Sequence, residues 1–577
     1  MMVGISIFVS LVSASPLHSG SGSWSRHAPA PPTANQDRMS SADRELRAAA
    51  RHFGRRRFLS LTAAAAALAF ATNVPAAGAT GTRAMDTAKI ADDPFTLGVA
   101  SGDPMPDSVV LWTRLAPVPY EPGGGMAGLA AAVLWEVALD ERFAVVVRSG
   151  GSVAFPEYNH TVHVEVDGLA PGSEYFYRFK TGAWISETGR TRTAPARTSA
   201  AATLTIAAVS CQAFHDGYFT AHRHLAEDDV DLVFHVGDYL YEYAVNDVGG
   251  ARAYPGGTLP DVFNREAVLL EDYRLRYALY KSDPDLRAVH AAHPFVVTWD
   301  DHDTENNYAG AVDEHGSPPE EFLLRRAAAY RAYWENHPLR GAQMPSGADL
   351  RLYRRLHWGT LAQFDVLDTR QYRSDQAYGD DLHVPGPESD DPARTMTGQA
   401  QEDWLIEGWR ASDAVWNVMP QQVCFSQRRM DLAEALMSMD AWDGYRASRE
   451  RILAGAKSAG VENLMVLTGD VHAGYAFEIK DVFDDPESRT LGTEIVATSV
   501  ASGRDGAEKP ANWDTYMTAN PHLKFYNGQR GYVRVELGPQ VARADFRTVS
   551  AVTTPGAPIT TAGSFAIEAG APGLEPV

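Results

Sequence analysis

Cysteine is scarce in this 577-residue chain, with Cys211 and Cys424 the only two. That excludes a scaffold stapled by a disulfide framework, because two thiols make at most one bridge and a chain this long does not need it for stability. Pairing of the two stays open, although Cys211, directly after an apolar run, suggests another use for its thiol. Positive charge is also short, with 51 Lys and Arg against 73 Asp and Glu and a formal net charge of −22. A nucleic-acid surface demands clustered cations, so that class of partner is excluded. The acidic excess keeps a protein soluble and is compatible with cation binding, and by itself decides nothing more. Past residue 80 no stretch is apolar enough for a transmembrane helix, and no internal repeat is present.

What the chain does have is 45% hydrophobic and 10% aromatic residues, enough for two domains with real cores. Near its start, Arg55-Arg56-Arg57-Phe58-Leu59-Ser60 precedes an Ala-rich apolar run from Leu61 to Ala71, followed by Ala77-Gly78-Ala79. The run is too short to span a bilayer and is flanked by basic residues and a cleavage-like site. Residues 1–80 therefore read as a twin-arginine-type signal, and a start at Met39 gives it normal proportions. That route exports folded proteins, so the expected location is extracellular, periplasmic or cell-wall associated, with the twin-arginine machinery as a partner.

Residues 81–195 show short β-branched and aromatic runs broken by Gly, Pro and Asp, namely Val109 to Trp112, Val133 to Leu139, Val162 to Val166 and Tyr175 to Phe179. This pattern predicts a β-sandwich. The stretch Leu169-Ala170-Pro171-Gly172-Ser173-Glu174-Tyr175 is similar to the corner of fibronectin-like domains, where a Tyr hydroxyl bonds back to the chain; the plainer alternative is a hairpin. A Ser/Thr/Ala-rich linker at 196–203 then leads into residues 204–577. There apolar runs, Leu204 to Val209, Leu232 to Val236, Phe295 to Trp299 and Leu464 to Thr468, each end in polar residues. Such runs predict strands buried on both faces, covered by helices over Glu266 to Tyr280, Glu320 to Trp334, Gly398 to Ser412 and Arg428 to Ala454. The result is an α/β layered domain whose strand ends build the active-site crevice.

Four motifs sit at those ends: Ser210-Cys211-Gln212, Gly237-Asp238-x-x-Tyr241, Asp300-Asp301-His302 and Gly469-Asp470-Val471-His472. In the second, a Gly permits a sharp turn before a carboxylate whose two oxygens can bridge two cations. Tyr241, three residues on, offers a phenolate suited to ferric iron, and Cys211 adds a thiolate. Alone, each has a plainer reading, a turn Asp or a core Tyr. Asp300-Asp301-His302-Asp303 with Glu305-Asn306-Asn307 concentrates mutually repelling carboxylates beside a buried strand, which is hard to explain unless cations neutralise them. Asp470 and His472, two apart, point to one side of an extended segment; the alternative is a helix-capping Asp with a satisfied His.

These motifs, in this order, together with Phe95-Thr96-Leu97-Gly98-Val99-Ala100-Ser101-Gly102-Asp103-Pro104, resemble the alkaline phosphatase D (PhoD) family. Leu367 to Arg373, Asn417 to Val423 and Lys524 to Tyr532 extend the likeness over the chain past the signal. It implies an exported phosphatase and phosphodiesterase using ferric iron with calcium, two calcium ions in all. The implied fold is a metallophosphoesterase-like α/β sandwich core behind an immunoglobulin/fibronectin-like β-sandwich. It further implies that Cys211, Tyr241 and His472 bind iron, that Asp238 bridges iron and calcium, and that Asp301, Asn307 and Asp470 lie nearest calcium. The chain departs from the family pattern at Asp303, Thr304 and the Pro420-Gln421-Gln422 segment.

The expected reaction is attack on a phosphate mono- or diester by metal-activated water or hydroxide, releasing inorganic phosphate. No Ser set beside a base argues for a protein nucleophile. Arg370 reads equally as a fork of donors for the phosphate or as a structural salt bridge. His302 reads as a ligand or as the acid that protonates the leaving group. Two alternatives remain: a phosphodiesterase preferring nucleotides or teichoic-acid-like polymers, and a calcium-stabilised surface binding protein, which would not need Cys, Tyr and His.

Overall fold

The computed structural model describes residues 90–245, 259–430, 435–510 and 513–577, with Thr87 and Arg252. The twin-arginine segment lies outside the described residues. Among those described, no helix is long and apolar enough to cross a membrane.

The apolar runs that predicted strands form them. Leu204–Val209, Leu232–Val236 and Pro294–Thr298 pair in parallel as neighbours in a ten-stranded sheet, with Leu232 opposite Ile206 and Val233 opposite Phe295. Ala362–Val366, Trp416–Pro420, Leu464–Thr468 and Thr490–Val496 form the parallel centre of a seven-stranded sheet. Both sheets are mixed, with antiparallel strands beside the parallel centres.

The two sheets pack face to face. Ile206, Phe234 and Val296 from one meet Phe364, Val418 and Leu467 from the other in one buried core, where the rings of Phe234 and Phe364 lie 4.8 Å apart. Each such side chain contributes roughly 1.5–3 kcal/mol on burial. Helices Leu270–Lys281 and Pro319–Asn336 cover the outer face of the ten-stranded sheet. Gln399–Arg410 and Arg446–Ala459 cover the other. With both faces covered, the apolar runs have no solvent side, which is why they do not alternate.

Two features differ from the sequence reading. The N-terminal region does form two facing β layers, with Val109, Val133 and Tyr177 in the core between them, and the Tyr175 hydroxyl does accept the Ala170 N–H, at 2.8 Å. One layer, however, is the end of the ten-stranded sheet itself, because Val99–Gly102 pairs in parallel with Pro294–Thr298. The helix expected over Arg428 to Ala454 begins only at Arg446. Gly444 packs against the chain so tightly that a Cβ there would lie 2.1 Å from the Met439 carbonyl oxygen. The carboxylate of Asp440 is meanwhile drawn inward to Arg370 and Arg373. Those tertiary contacts override the helical pattern.

Candidate metal centre

The site forms where the parallel strands of both sheets end. At the turn after Leu232–Val236, Gly237 takes φ of 113°, and a Cβ there would sit 2.4 Å from that of Asp300. Only glycine lets these two strand ends approach so closely. Backbone hydrogen bonds join the loops, with the Cys211 N–H donating to the Gly237 carbonyl at 3.1 Å and the Gly469 N–H to the Gln422 carbonyl at 2.8 Å. The Gln422 side chain accepts from Thr369 and donates to Thr298 and Leu367. It ties the ends of three strands together.

Cys211, Asp238, Asn307, Asp470 and His472 all adopt left-handed backbone, with φ of 56°, 54°, 51°, 67° and 53°. For non-glycine residues this costs on the order of 1–3 kcal/mol each and is held only where the surroundings dictate it. It turns each side chain sharply off its strand end.

Potential ligand atoms of Cys211, Asp238 and His472 lie within 4.8 Å of one another, as do those of Asp238, Asp301 and His302, and of Asp300, Asp301 and Asp470. Asp238 belongs to two of these groups. The Tyr241 hydroxyl joins the first, donating to Asp238 Oδ2 at 2.8 Å and lying 3.0 Å from His472 Nε2. Asn307 stands beside Asp301, its backbone N–H donating to Asp301 Oδ2 at 2.7 Å, while its side-chain amide donates to Asp380 at 3.0 Å. Cys211 and Cys424 are both buried and free, so the bridge left open by the sequence is not formed.

Charge is poorly balanced in this pocket. Burial pushes the Asp238 carboxyl up to about 6 and that of Asp470 up to about 7. It raises Asp300 well above the ordinary carboxylate range, even beside Arg370. Burial also works against ionisation of Asp301, yet Arg370 and His302 hold that group below its ordinary value. The thiol of Cys211 and phenol of Tyr241 are pushed well up by burial and the neighbouring Asp238, and burial drives His472 down to about 3. Asp238 Oδ1, Asp300 Oδ2 and Asp301 Oδ1 are buried without a hydrogen-bond partner. Orphaned carboxylate oxygens in such density are what a bound cation neutralises.

Arg370 is fully buried and engages Asp300, Asp440 at 2.8 Å, Asp301 at 3.4 Å and Asp470 at 4.0 Å. His302 holds Glu242 through Nδ1 at 2.9 Å, and its ring lies 4.2 Å from that of Tyr241. Burial alone would depress this imidazole, but Glu242, Asp301 and Asp238 raise it well above its ordinary value. Asp303 accepts the N–H groups of Asp300 and Leu240, at 3.0 and 3.4 Å, and so braces two motifs.

Several residues at the site escaped the sequence reading. Glu242 adjoins Tyr241 and carried no signal beyond that. Asp440 was hidden in a helical pattern. Ser502 donates to the Tyr241 hydroxyl at 2.9 Å and accepts from the Ala213 N–H at 2.9 Å. Arg530, inside a segment that resembles the family, bonds the carbonyls of His472, Gly503 and Arg504. A further group, Glu266, Glu305 and His315, meets the same 4.8 Å criterion, but Arg325 already pairs with both its carboxylates.

Thiol, phenol, imidazole and carboxylates converging on the strand ends of a covered double sheet form a buried candidate metal-binding centre in an α/β protein. The family follows from comparison. The profile of the PhoD-like phosphatase family matches residues 206–546, and that of its N-terminal domain matches 75–195. The chain belongs to the PhoD-like phosphatases, and it is a phosphoester hydrolase. It is 49% identical to alkaline phosphatase D of Bacillus subtilis (strain 168) over 489 residues, 84% of this chain and 82% of the relative. It is similar to a solved structure of PhoD with a TM-score of 0.81 and 48% identity, covering 84% of this chain and 92% of that one.

Proposed function

We propose that the chain is an exported alkaline phosphatase that hydrolyses phosphate mono- and diesters at a mixed iron–calcium centre. The observation carrying this reading is Asp238, shared between a Cys–His group joined by a tyrosine and a second group with Asp301 and His302, where Asp301 in turn belongs to an all-carboxylate group with Asp300 and Asp470. Thiolate, imidazole and phenolate suit ferric iron, while carboxylate and amide oxygens suit calcium. Cys211, Tyr241 and His472 would hold iron, Asp301, Asn307 and Asp470 would lie nearest two calcium ions, and Asp238 would bridge. The orphaned oxygens of Asp238 and Asp301 fit that assignment. We also assign the core to the metallophosphoesterase-like sandwich class and the N-terminal region to the fibronectin-like one, and place export on the Arg55-Arg56 segment.

Bound cations supply Lewis-acid clamping of phosphate oxygens and activation of a water for in-line attack. The chain's own residues do the rest. His302, kept protonated by its carboxylate neighbours, gives a proton to the departing oxygen. Arg370, enclosed by four carboxylates, holds them in place against their mutual repulsion, which favours the ion-pair reading of this residue over a phosphate fork. Ser502 holds the Tyr241 oxygen toward Asp238 and His472.

The test is metal analysis with a visible spectrum, together with hydrolysis of a monoester and a diester before and after chelation. A ferric tyrosinate absorbs visible light, so the expected protein is coloured. A colourless, iron-free and fully active enzyme removes the assignment of Tyr241.

A further inference from the structure

Two loops meet beside His472, and one guanidinium closes them on each other. Arg530 is buried and directs its donors at backbone carbonyls, Nε to that of Arg504 at 2.5 Å, Nη1 to that of His472 and Nη2 to that of Gly503 at 3.0 Å. The three carbonyls belong to three left-handed residues, with φ of 60°, 53° and 82°. The approach is close. A Cβ on Gly503 would lie 2.8 Å from Arg530 Nη2 and 3.8 Å from His472 Nδ1, so glycine is what leaves room for the clamp. Arg530 is itself mounted on the ten-stranded sheet, where its carbonyl accepts the Val549 N–H at 2.9 Å and the next N–H, that of Gly531, donates to the Ser499 carbonyl at 3.0 Å.

The loop so clamped also carries the other two residues assigned to iron. The N–H groups of Ala501 and Ser502 both donate to the Cys211 carbonyl, at 3.3 and 3.2 Å. The Ser502 hydroxyl donates to that of Tyr241 at 2.9 Å, and the Tyr241 oxygen lies 3.0 Å from His472 Nε2. Cys211 and Tyr241 are therefore tied to one end of residues 501–504, and His472 is tied to the other end through Arg530. Among the described residues, no hydrogen bond of Ser502, Gly503 or Arg530 reaches Asp301, Asn307 or Asp470. Arg370 lies against the two carboxylates of that set, at 3.4 and 4.0 Å, and the Asn307 N–H is held by Asp301.

We propose that Arg530 is the positioning residue of the iron side, setting Cys211, Tyr241 and His472 as one donor unit while leaving the calcium side to Arg370. The inference rests on the iron assignment above. A planar guanidinium with donors in fixed directions meets several carbonyls at once, which the compact ammonium of lysine does less well. A group that orients metal ligands governs how tightly the metal is held. Arg530 touches neither substrate nor metal, so its removal acts first on iron retention.

The experiment compares the full chain with its Arg530→Gln and Arg530→Lys variants. It measures iron and calcium content across a series of chelator concentrations, the visible spectrum, and amide hydrogen exchange of the metal-free proteins over residues 469–474 and 499–506. For Arg530→Gln we expect iron affinity to fall about 10- to 100-fold and the visible band to shift, with calcium content unchanged and faster exchange in both segments. Arg530→Lys falls between, and gives the same readings should the Gln variant fail to fold. Unchanged iron affinity and band would overturn the proposal. So would calcium lost in step with iron, which makes Arg530 a support of the whole centre. If the unaltered protein binds no iron, the iron assignment fails instead, and exchange of the metal-free proteins alone decides the clamp: equal exchange in parent and variant refutes it.

Discussion

Replacing Asp238 by Asn keeps the shape of the side chain and removes the charge that two donor groups share. Without cations that charge is a burden on the fold. Burial lifts the Asp238 carboxyl to about 6 from an ordinary 3.8, a gap worth about 3 kcal/mol. The folded protein binds the proton more tightly than the unfolded chain, so stability is highest below the ordinary value and falls as pH rises through the folded value near 6. At pH 8 the full cost is present in the metal-free protein and absent from Asp238→Asn, whose amide needs no neutralising. Metal-free Asp238→Asn is therefore expected to be more stable than the metal-free parent, by up to about 3 kcal/mol, or a few degrees in Tm for a chain of this size. Adding iron and calcium should reverse the order, since the parent gains binding energy that the variant lacks. Thermal unfolding of both proteins, chelated and reloaded at pH 8, measures the crossing, and turnover should be abolished in the variant. A variant less stable than the parent in both states, or one that keeps its turnover, refutes the bridging role.

Three other outcomes follow from the same contacts. Tyr241→Phe should lose the visible absorption band altogether, whereas Ser502→Ala should shift that band without abolishing it, because Ser502 only donates to the phenol oxygen; a band retained in Tyr241→Phe assigns it elsewhere. Glu242→Gln removes the carboxylate 2.9 Å from the His302 ring, so the imidazole loses its proton at lower pH and the alkaline limb of the pH–rate profile should move down; an unmoved limb argues against His302 as the acid. Phe234→Ala, between the two sheets, should cost about 3–5 kcal/mol in urea unfolding while leaving kcat of the folded fraction unchanged; a kcat loss would show the core coupled to the site.

Much of this architecture was open to inspection in the chain. Leu232–Val236 and Leu464–Thr468 are apolar apart from His235 and Thr468 and are buried along their whole length, as strands covered on both faces are. The four motifs follow those runs directly, so their convergence could be read before any coordinates. Asp440 could not, because it stands in a stretch with helical spacing and reaches the site only when Gly444 closes against Met439. Glu242, Ser502 and Arg530 were hidden for another reason. Each acts on a ligand candidate rather than being one, and a residue that only orients another carries no pattern of its own. The continuity of the N-terminal strands with the main sheet was equally silent, since Val99–Gly102 is too short a run to announce which neighbour it pairs with.

Backbone conformation explains why the ligand candidates were secure as a group and uncertain one by one. Cys211, Asp238, Asn307, Asp470 and His472 all have φ between 51° and 67°. Alternation along a strand, the rule used to set Asp470 and His472 on one side, assumes extended backbone and does not apply to residues so turned. Their approach depends instead on the loops that hold the turns: Arg530 bonded to the His472 carbonyl, Gly237 against Asp300, and the Asn307 N–H on Asp301. Each left-handed residue is unfavourable alone by on the order of 1–3 kcal/mol, so the set persists because the surrounding hydrogen bonds dictate it. Donors held this way need little rearrangement when cations arrive. That places the rigidity of the centre in its loops, where a sequence shows least.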